Sequence, residues 1–333
     1  MSEEHANDST LRVKVATIND KGEEVYASSL SHDGTYLAAV FGDGALVIFN
    51  PSTFSALDSS AAGKGYDNVP CTAVQWLESS EGGLYHLVSV SSAGGVFIWQ
   101  WDGAALHRTN RVPEKGNEIT CLAVSPECDM FITAGSDRTV RLYDADGTLK
   151  ANLQMAHDES GVSRLAHTSR IFSVRFVSQG VAVSGGWGGP LQVWDLKANE
   201  ARVEIRGAQV SSDGIELITG TNCVLVASRR QKEQLQVFDC VSGQELADDS
   251  ARLSMALGEL IPLSSRLCKT SGLVWTITSS PSKVLVTSYS TGQLIASYDS
   301  AYDLMNISIF EGLPNNAYIS CAEGKLLFAT VKQ

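Results

Sequence analysis

Apolar and polar residues alternate along this chain over short stretches, and no apolar spacing of 3.6 residues is sustained past two turns. Short segments ending in an aromatic recur: Ala45-Leu-Val-Ile-Phe-Asn50, Gly95-Val-Phe-Ile-Trp-Gln100, Thr139-Val-Arg-Leu-Tyr-Asp144, Pro190-Leu-Gln-Val-Trp-Asp195 and Gln234-Leu-Gln-Val-Phe-Asp239. Each reads as a strand, being a short run rich in β-branched and aromatic residues that follows a small-residue turn. Their aromatics, Phe49, Trp99, Tyr143, Trp194 and Phe238, follow one another at intervals of 50, 44, 51 and 44 residues. Two weaker copies, Ser282–Thr287 and Lys325–Thr330, bring the count to seven units of about 48 residues, the period of a propeller blade.

Each unit carries a second β-rich segment before its aromatic strand and an alternating strand earlier still. The alternating strand is clearest at Val25–Leu30, Ile119–Val124, Ile171–Phe176 and Met305–Phe310. In the sixth unit, Thr287-Ser-Tyr-Ser-Thr-Gly-Gln293 aligns with Phe238-Asp-Cys-Val-Ser-Gly-Gln244, so that Gly292 falls on Gly243. This predicts a third strand over Ser282–Thr287 and a fourth over Gln293–Tyr298. It leaves Leu253–Leu257 as the first strand and Gly258–Ser271 as a long connection. The seventh unit has only three strands before the chain ends, while Leu11–Ile18 is an unassigned strand with apolar residues at 11, 13 and 15. Pairing Leu11–Ile18 beside Lys325–Val331 closes the ring and removes an open sheet edge. The expected fold is all-β: a seven-bladed propeller of four-stranded antiparallel blades over residues 11–333, preceded by a disordered acidic segment at 1–10.

Composition narrows the function more than the fold. Apolar residues at 44% and charged residues at 19% fit a large packed core and exclude a disordered chain. Thirty-seven acids against 25 bases give a net charge of −12, which repels phosphate backbones, so no nucleic-acid partner is expected. The seven cysteines are odd in number, contain no Cys-x-x-Cys pair and mostly sit in apolar stretches, the pattern of reduced, buried thiols. With no apolar run of membrane-spanning length and a polar, acidic start, the expectation is a soluble protein of the cytoplasm or nucleus without a membrane partner.

Catalytic spacing is absent: there is no nucleophile elbow, no His-Glu-x-x-His and no phosphate-binding loop. Gly185-Gly-Trp-Gly-Gly189 joins two strands rather than a strand and a helix, so it reads as a turn. The histidines at 5, 32, 86, 107, 157 and 167 show no paired ligand spacing. Asp-Gly pairs at 33–34, 43–44, 102–103, 146–147 and 213–214 are turn residues. No catalytic residue, metal or cofactor is expected.

The residues from Leu11 to Val331 resemble the WD40 repeat family. The segment Ile119–Asp144 follows the family pattern nearly position for position, and unit four ends in Trp194-Asp195. The resemblance implies a His, Ser/Thr, Asp and Trp network in each blade. Unit four supplies His167, Ser184 and Trp194, with Gly188 at the Asp position. Unit three supplies Thr133 and Asp137, with Tyr143 for Trp and Lys115 for His. Unit one keeps Asp43 beside Phe49 and Ala39, and unit two keeps Ser89 and Trp99 beside Ala93. Since no blade has all four, apolar packing between blades must carry the stability. His167 is expected to be structural. Trp76, Trp99, Trp194 and Trp275 fall in strands as core residues, and Trp101, just past a strand end, falls at the rim.

The resemblance also places the turns between second and third strands on one face, together with the loops leading into each blade. Arg138, Arg170, Trp187, Arg229 and Arg230 fall in those turns and loops. Arginine and tryptophan dominate binding hot spots, and arginine grips carboxylate or phosphate through paired hydrogen bonds. The expected function is a non-catalytic scaffold or adaptor, monomeric within a complex, that docks acidic or phosphorylated segments of other proteins. The rivals are a substrate-receptor subunit of a larger enzyme complex, such as a ubiquitin ligase, and a propeller hydrolase with acids and histidines facing its channel.

Overall fold

A ring of seven inner strands surrounds a central channel in the computed structural model, which describes residues 2–5, 10–61, 69–77, 83–157 and 162–332, with the backbone alone at 2–5, 60, 61 and 157. The inner strands are Val25–Leu30, Cys71–Trp76, Ile119–Val124, Ile171–Ser178, Ile215–Leu217, Ile261–Cys268 and Leu304–Ile309. Each touches the next, and the last touches the first. From each of them an antiparallel sheet extends outward in chain order. The architecture is the expected seven-bladed, all-β propeller.

The wheel closes where the sequence pattern places the closure. Leu11–Thr17 forms the fourth strand of the last blade, in antiparallel register from Leu11 opposite Val331 to Thr17 opposite Lys325. Leu11, Val13 and Val15 turn inward and pack with Trp275, Ile277, Val284 and Val286 of blade six. At the acidic start, Ser2–His5 pairs outside this strand, so the last sheet has five strands; residues 1 and 6–9 lie outside the described residues.

Cohesion comes from apolar packing between blades. Each of seven buried clusters straddles one blade boundary: Val88, Val96 and Ile98 of blade two meet Ile119, Phe131 and Tyr143 of blade three. Ala16, Tyr318 and Leu326 of the last blade meet Val25, Leu37 and Phe41 of the first. At about 25 cal/mol per Å² these interfaces are the main favourable term, and each blade's face is buried only because its neighbour exists. Hydroxyls add fixed contacts at the inner wall, where Thr72 Oγ1 donates to the Ile119 carbonyl at 2.8 Å and Ser264 Oγ to the Asp213 carbonyl at 2.7 Å.

Three expectations are corrected. Leu253–Leu257 is not a strand: Ala247–Ser254 is an α-helix, lying along the outer edge of Leu235–Asp239 where blade five has no fourth strand. Leu253 of the helix and Leu257 just beyond it are both buried in the core. The first strand of blade six is Ile261–Cys268, inside the stretch expected to be a long connection, and it pairs from Ile261 opposite Ser279 to Cys268 opposite Leu273. Its alternation is hidden because Ser264, Ser265 and Arg266 are all buried. Trp101 is also not a rim residue; it ends the strand Gly95–Trp101, fully buried, with its ring 5.5 Å from that of Tyr36. None of the seven cysteines is in a disulfide.

Candidate partner-binding face

In an antiparallel blade, the turn between second and third strands lies at the same end as the loop leading into the first. Trp187 occupies that turn in blade four, after Val181–Gly186, and Arg229 the matching turn in blade five, after Cys223–Ala227. The segment 206–214, leading into blade five, stitches the two turns together. Val210 N donates to the Gly186 carbonyl at 3.2 Å, and Arg229 N to the Gln209 carbonyl at 3.0 Å. Gln209 N donates to Ser228 Oγ at 2.8 Å. The result is a guanidinium 5.3 Å from the centre of the Trp187 ring, cation over π-face. Gly186 is required here, since a Cβ would stand 2.1 Å from the Arg170 carbonyl.

The five predicted residues do not form one cationic cluster. Trp187 is 56% exposed, with Arg229 beside it and also exposed. Among the described residues, no carboxylate lies within ion-pair distance of Arg229 or of the exposed Arg138, which sits at φ +68° in the blade-three turn. Arg170, at the start of blade four, is paired with Glu118. Arg230 runs between Glu233 at 3.8 Å and Glu245 at 3.7 Å. Among the described residues, Arg138 and Arg229 thus have no carboxylate partner, and Arg229 stands over the exposed indole.

A second cluster escaped the sequence reading. Arg175 of blade four, Asp213 and Glu216 of blade five, and Arg266 of blade six meet on the channel wall, beside a cavity of about 240 Å³. Asp213 Oδ2 accepts from Arg175 Nη2 at 2.8 Å and Arg266 Nη2 at 2.5 Å, and Oδ1 from Ser173 Oγ at 2.9 Å. Glu216 Oε2 lies 3.5 Å from Arg175 Nε and 3.7 Å from Arg266 Nε. The arginines outweigh burial at Asp213 and hold its carboxyl down at about 2, whereas burial pushes the Glu216 carboxyl up. Arg175, within the strand read at Ile171–Phe176, is the one local signal of this cluster. Two acids do face the channel, as a hydrolase would need, but both are bound by arginine and no histidine among the described residues lines the cavity. Among the described residues no group of three or more His, Cys, Asp or Glu side chains could hold a metal ion, and no helix is long and apolar enough to cross a membrane.

The family model for the WD domain, G-beta repeat, matches residues 108–144, within blades two and three. A WD40 repeat thus lies within a seven-bladed propeller. It is 26% identical to a ribosome biogenesis protein WDR12 homolog of Drosophila mojavensis over 41% of this chain and 34% of that one. It is 24% identical to a THO complex subunit 6 homolog of Danio rerio over 53% and 54%. It is 26% identical to a guanine nucleotide-binding protein subunit beta-like protein of Encephalitozoon cuniculi (strain GB-M1) over 46% and 44%. The chain therefore spans about a third to about half the length of these curated relatives.

The WD40 networks are partial, as the sequence indicates, and one is differently built. In blade four, Trp194 Nε1 donates to Ser184 Oγ at 2.7 Å, and Ser184 Oγ lies 2.7 Å from His167 Nε2. In blade two, Trp99 Nε1 donates to Ser89 Oγ at 2.9 Å. In blade three the histidine's place is taken by Glu114, buried, and not by Lys115, which is exposed. Glu114 accepts from Thr133 Oγ1 at 2.5 Å, Tyr143 Oη at 2.9 Å and Asn117 Nδ2 at 2.6 Å. Arg141 joins it to Asp137.

Proposed function

We propose that this propeller is a non-catalytic scaffold, in the nucleus or cytoplasm, that docks an acidic or phosphorylated segment of a partner protein on the face formed by blades three to five. The observation that carries the reading is an open indole under an arginine that has no carboxylate partner among the described residues, on a protein of net charge −12. Exposed tryptophan is costly to leave in water, and a cation already stacked on it presents a flat, pre-ordered platform. Arg138 gives a second anchor; Arg170 and Arg230, already neutralised, frame the site. The names of two relatives, a complex subunit and a biogenesis protein, favour work inside an assembly.

Affinity purification of tagged wild-type protein, with W187A and R229E alongside, tests this. Each substitution is expected to weaken capture of the main partner by about thirtyfold, equivalent to roughly 2 kcal/mol. Undiminished capture by both folded variants overturns the site.

A further inference from the structure

The geometry points to the channel cluster as the anchor that positions the Trp187–Arg229 surface. This inference rests on reading that surface as the docking site. Segment 206–214 is bonded to both turns of the surface through Gln209 and Val210, and its inner end is Asp213. All three oxygens of Asp213 are taken by donors from the flanking blades. Ser173 and Arg175 of blade four and Arg266 of blade six hold the carboxylate. Ser264 Oγ and Arg266 Nη1 hold its carbonyl, at 2.7 and 3.2 Å.

Besides this anchor, the segment is held by the buried side chains of Ala208 and Val210 and by the bonds of Gln209 and Val210 to the two turns. The inner strand of blade five is three residues long and its sheet has three strands. The next ladder contact after the anchor, Ala227 N to the Gly214 carbonyl at 2.7 Å, leads directly into the turn that carries Arg229. A Cβ at Gly214 would stand 2.9 Å from the Ala227 carbonyl, so the two chains run in close contact there. The ionised Asp213 therefore sets where segment 206–214 lies, and that segment sets the distance between Arg229 and the Trp187 ring. Asp213 and Arg266 are positioning residues: neither touches the partner, and both determine the shape it meets.

The full-length protein tests this through Trp187 itself. Acrylamide quenching is measured for wild type and for D213N, each against its own W187F counterpart so that the other five tryptophans cancel. S264A, which removes one hydrogen bond to the anchor carbonyl, serves as a second variant if D213N does not fold. The expected result is a rise in quenching at Trp187 well below the melting temperature, as the guanidinium leaves the ring. A glutamate-rich peptide and its phosphoserine counterpart should bind roughly tenfold more weakly to the variant. Unchanged Trp187 quenching in a folded variant overturns the anchor, because a merely structural role lowers the melting temperature without moving that signal. If wild type binds neither peptide while quenching still rises in D213N, the docking reading fails and the anchor stands.

Discussion

At the scale of single residues, burial and hydrogen bonding decide what the blade networks do. His167 is 5% exposed, and burial pushes its imidazole down to about 4. A neutral ring fits its geometry, since Ser184 Oγ takes the Trp194 proton and can donate its own to His167 Nε2. A histidine depressed in the folded state binds more protons when unfolded between its two titration points. Its contribution is therefore complete above about pH 6.5 and lost as pH falls toward 4, up to roughly 3 kcal/mol. Urea denaturation from pH 7.5 to 4.5 should show this slope in the wild type, and H167N should flatten it. At blade three the decisive residue is one position from the expected one. E114A should cost about 3–5 kcal/mol, since Arg141 and the Thr133 and Tyr143 hydroxyls lose their shared partner, while K115A should stay within about 0.5 kcal/mol. Equal melting of the two variants would return the network to Lys115. A Glu-Lys pair before a glycine turn does not show in sequence which of its members folds inward.

At the scale of elements, the helix Ala247–Ser254 does the work of a missing strand. Ser250 Oγ accepts from Val237 N at 2.9 Å, and Ser254 Oγ accepts from Leu235 N at 3.0 Å, so two hydroxyls one turn apart satisfy amides that a fourth strand would otherwise engage. Each serine-to-alanine change should cost about 1–3 kcal/mol, because it strands a buried donor. Hydrogen exchange at Leu235 and Val237 should accelerate ahead of the neighbouring amides; protection unchanged at both would show that the helix does not cap this edge. The sequence discloses strands wherever one face is apolar, as in Leu235–Asp239. It conceals Ile261–Cys268, whose buried residues include Ser264, Ser265 and Arg266, and it conceals a helix too short to establish a period. The same contrast holds at the candidate site. Trp187 and Arg229 sit in turns bounded by recognisable strands, so their common face can be read locally. The neutralisation of Arg170 by Glu118, 52 residues away in sequence, and the meeting of Arg175, Asp213, Glu216 and Arg266 depend on how whole blades are placed side by side.

For the whole molecule, one strand determines whether the wheel is a wheel. Every blade buries its faces against two neighbours, so an open ring loses an interface as well as a strand. Leu11–Thr17 contributes a continuous ladder to Lys325–Val331 and inserts Leu11, Val13 and Val15 beside blade six. At about 1.5–3 kcal/mol for each buried aliphatic side chain, these three are comparable to the 5–15 kcal/mol by which a native domain is stable. Removing residues 1–17 should therefore abolish a single cooperative transition rather than shift it. It should also uncover the edge of Lys325–Val331, whose unpaired amides and carbonyls template association, so light scattering should show oligomers. Adding a synthetic peptide of residues 10–18 should restore monomers and a sharp transition, because the groove it fills is specified by register and by three apolar pockets. A truncated protein that stays monomeric and melts as the full chain does would mean that closure is not what holds the blades together. The rigid spacing of the turns on blades three to five would then need another origin.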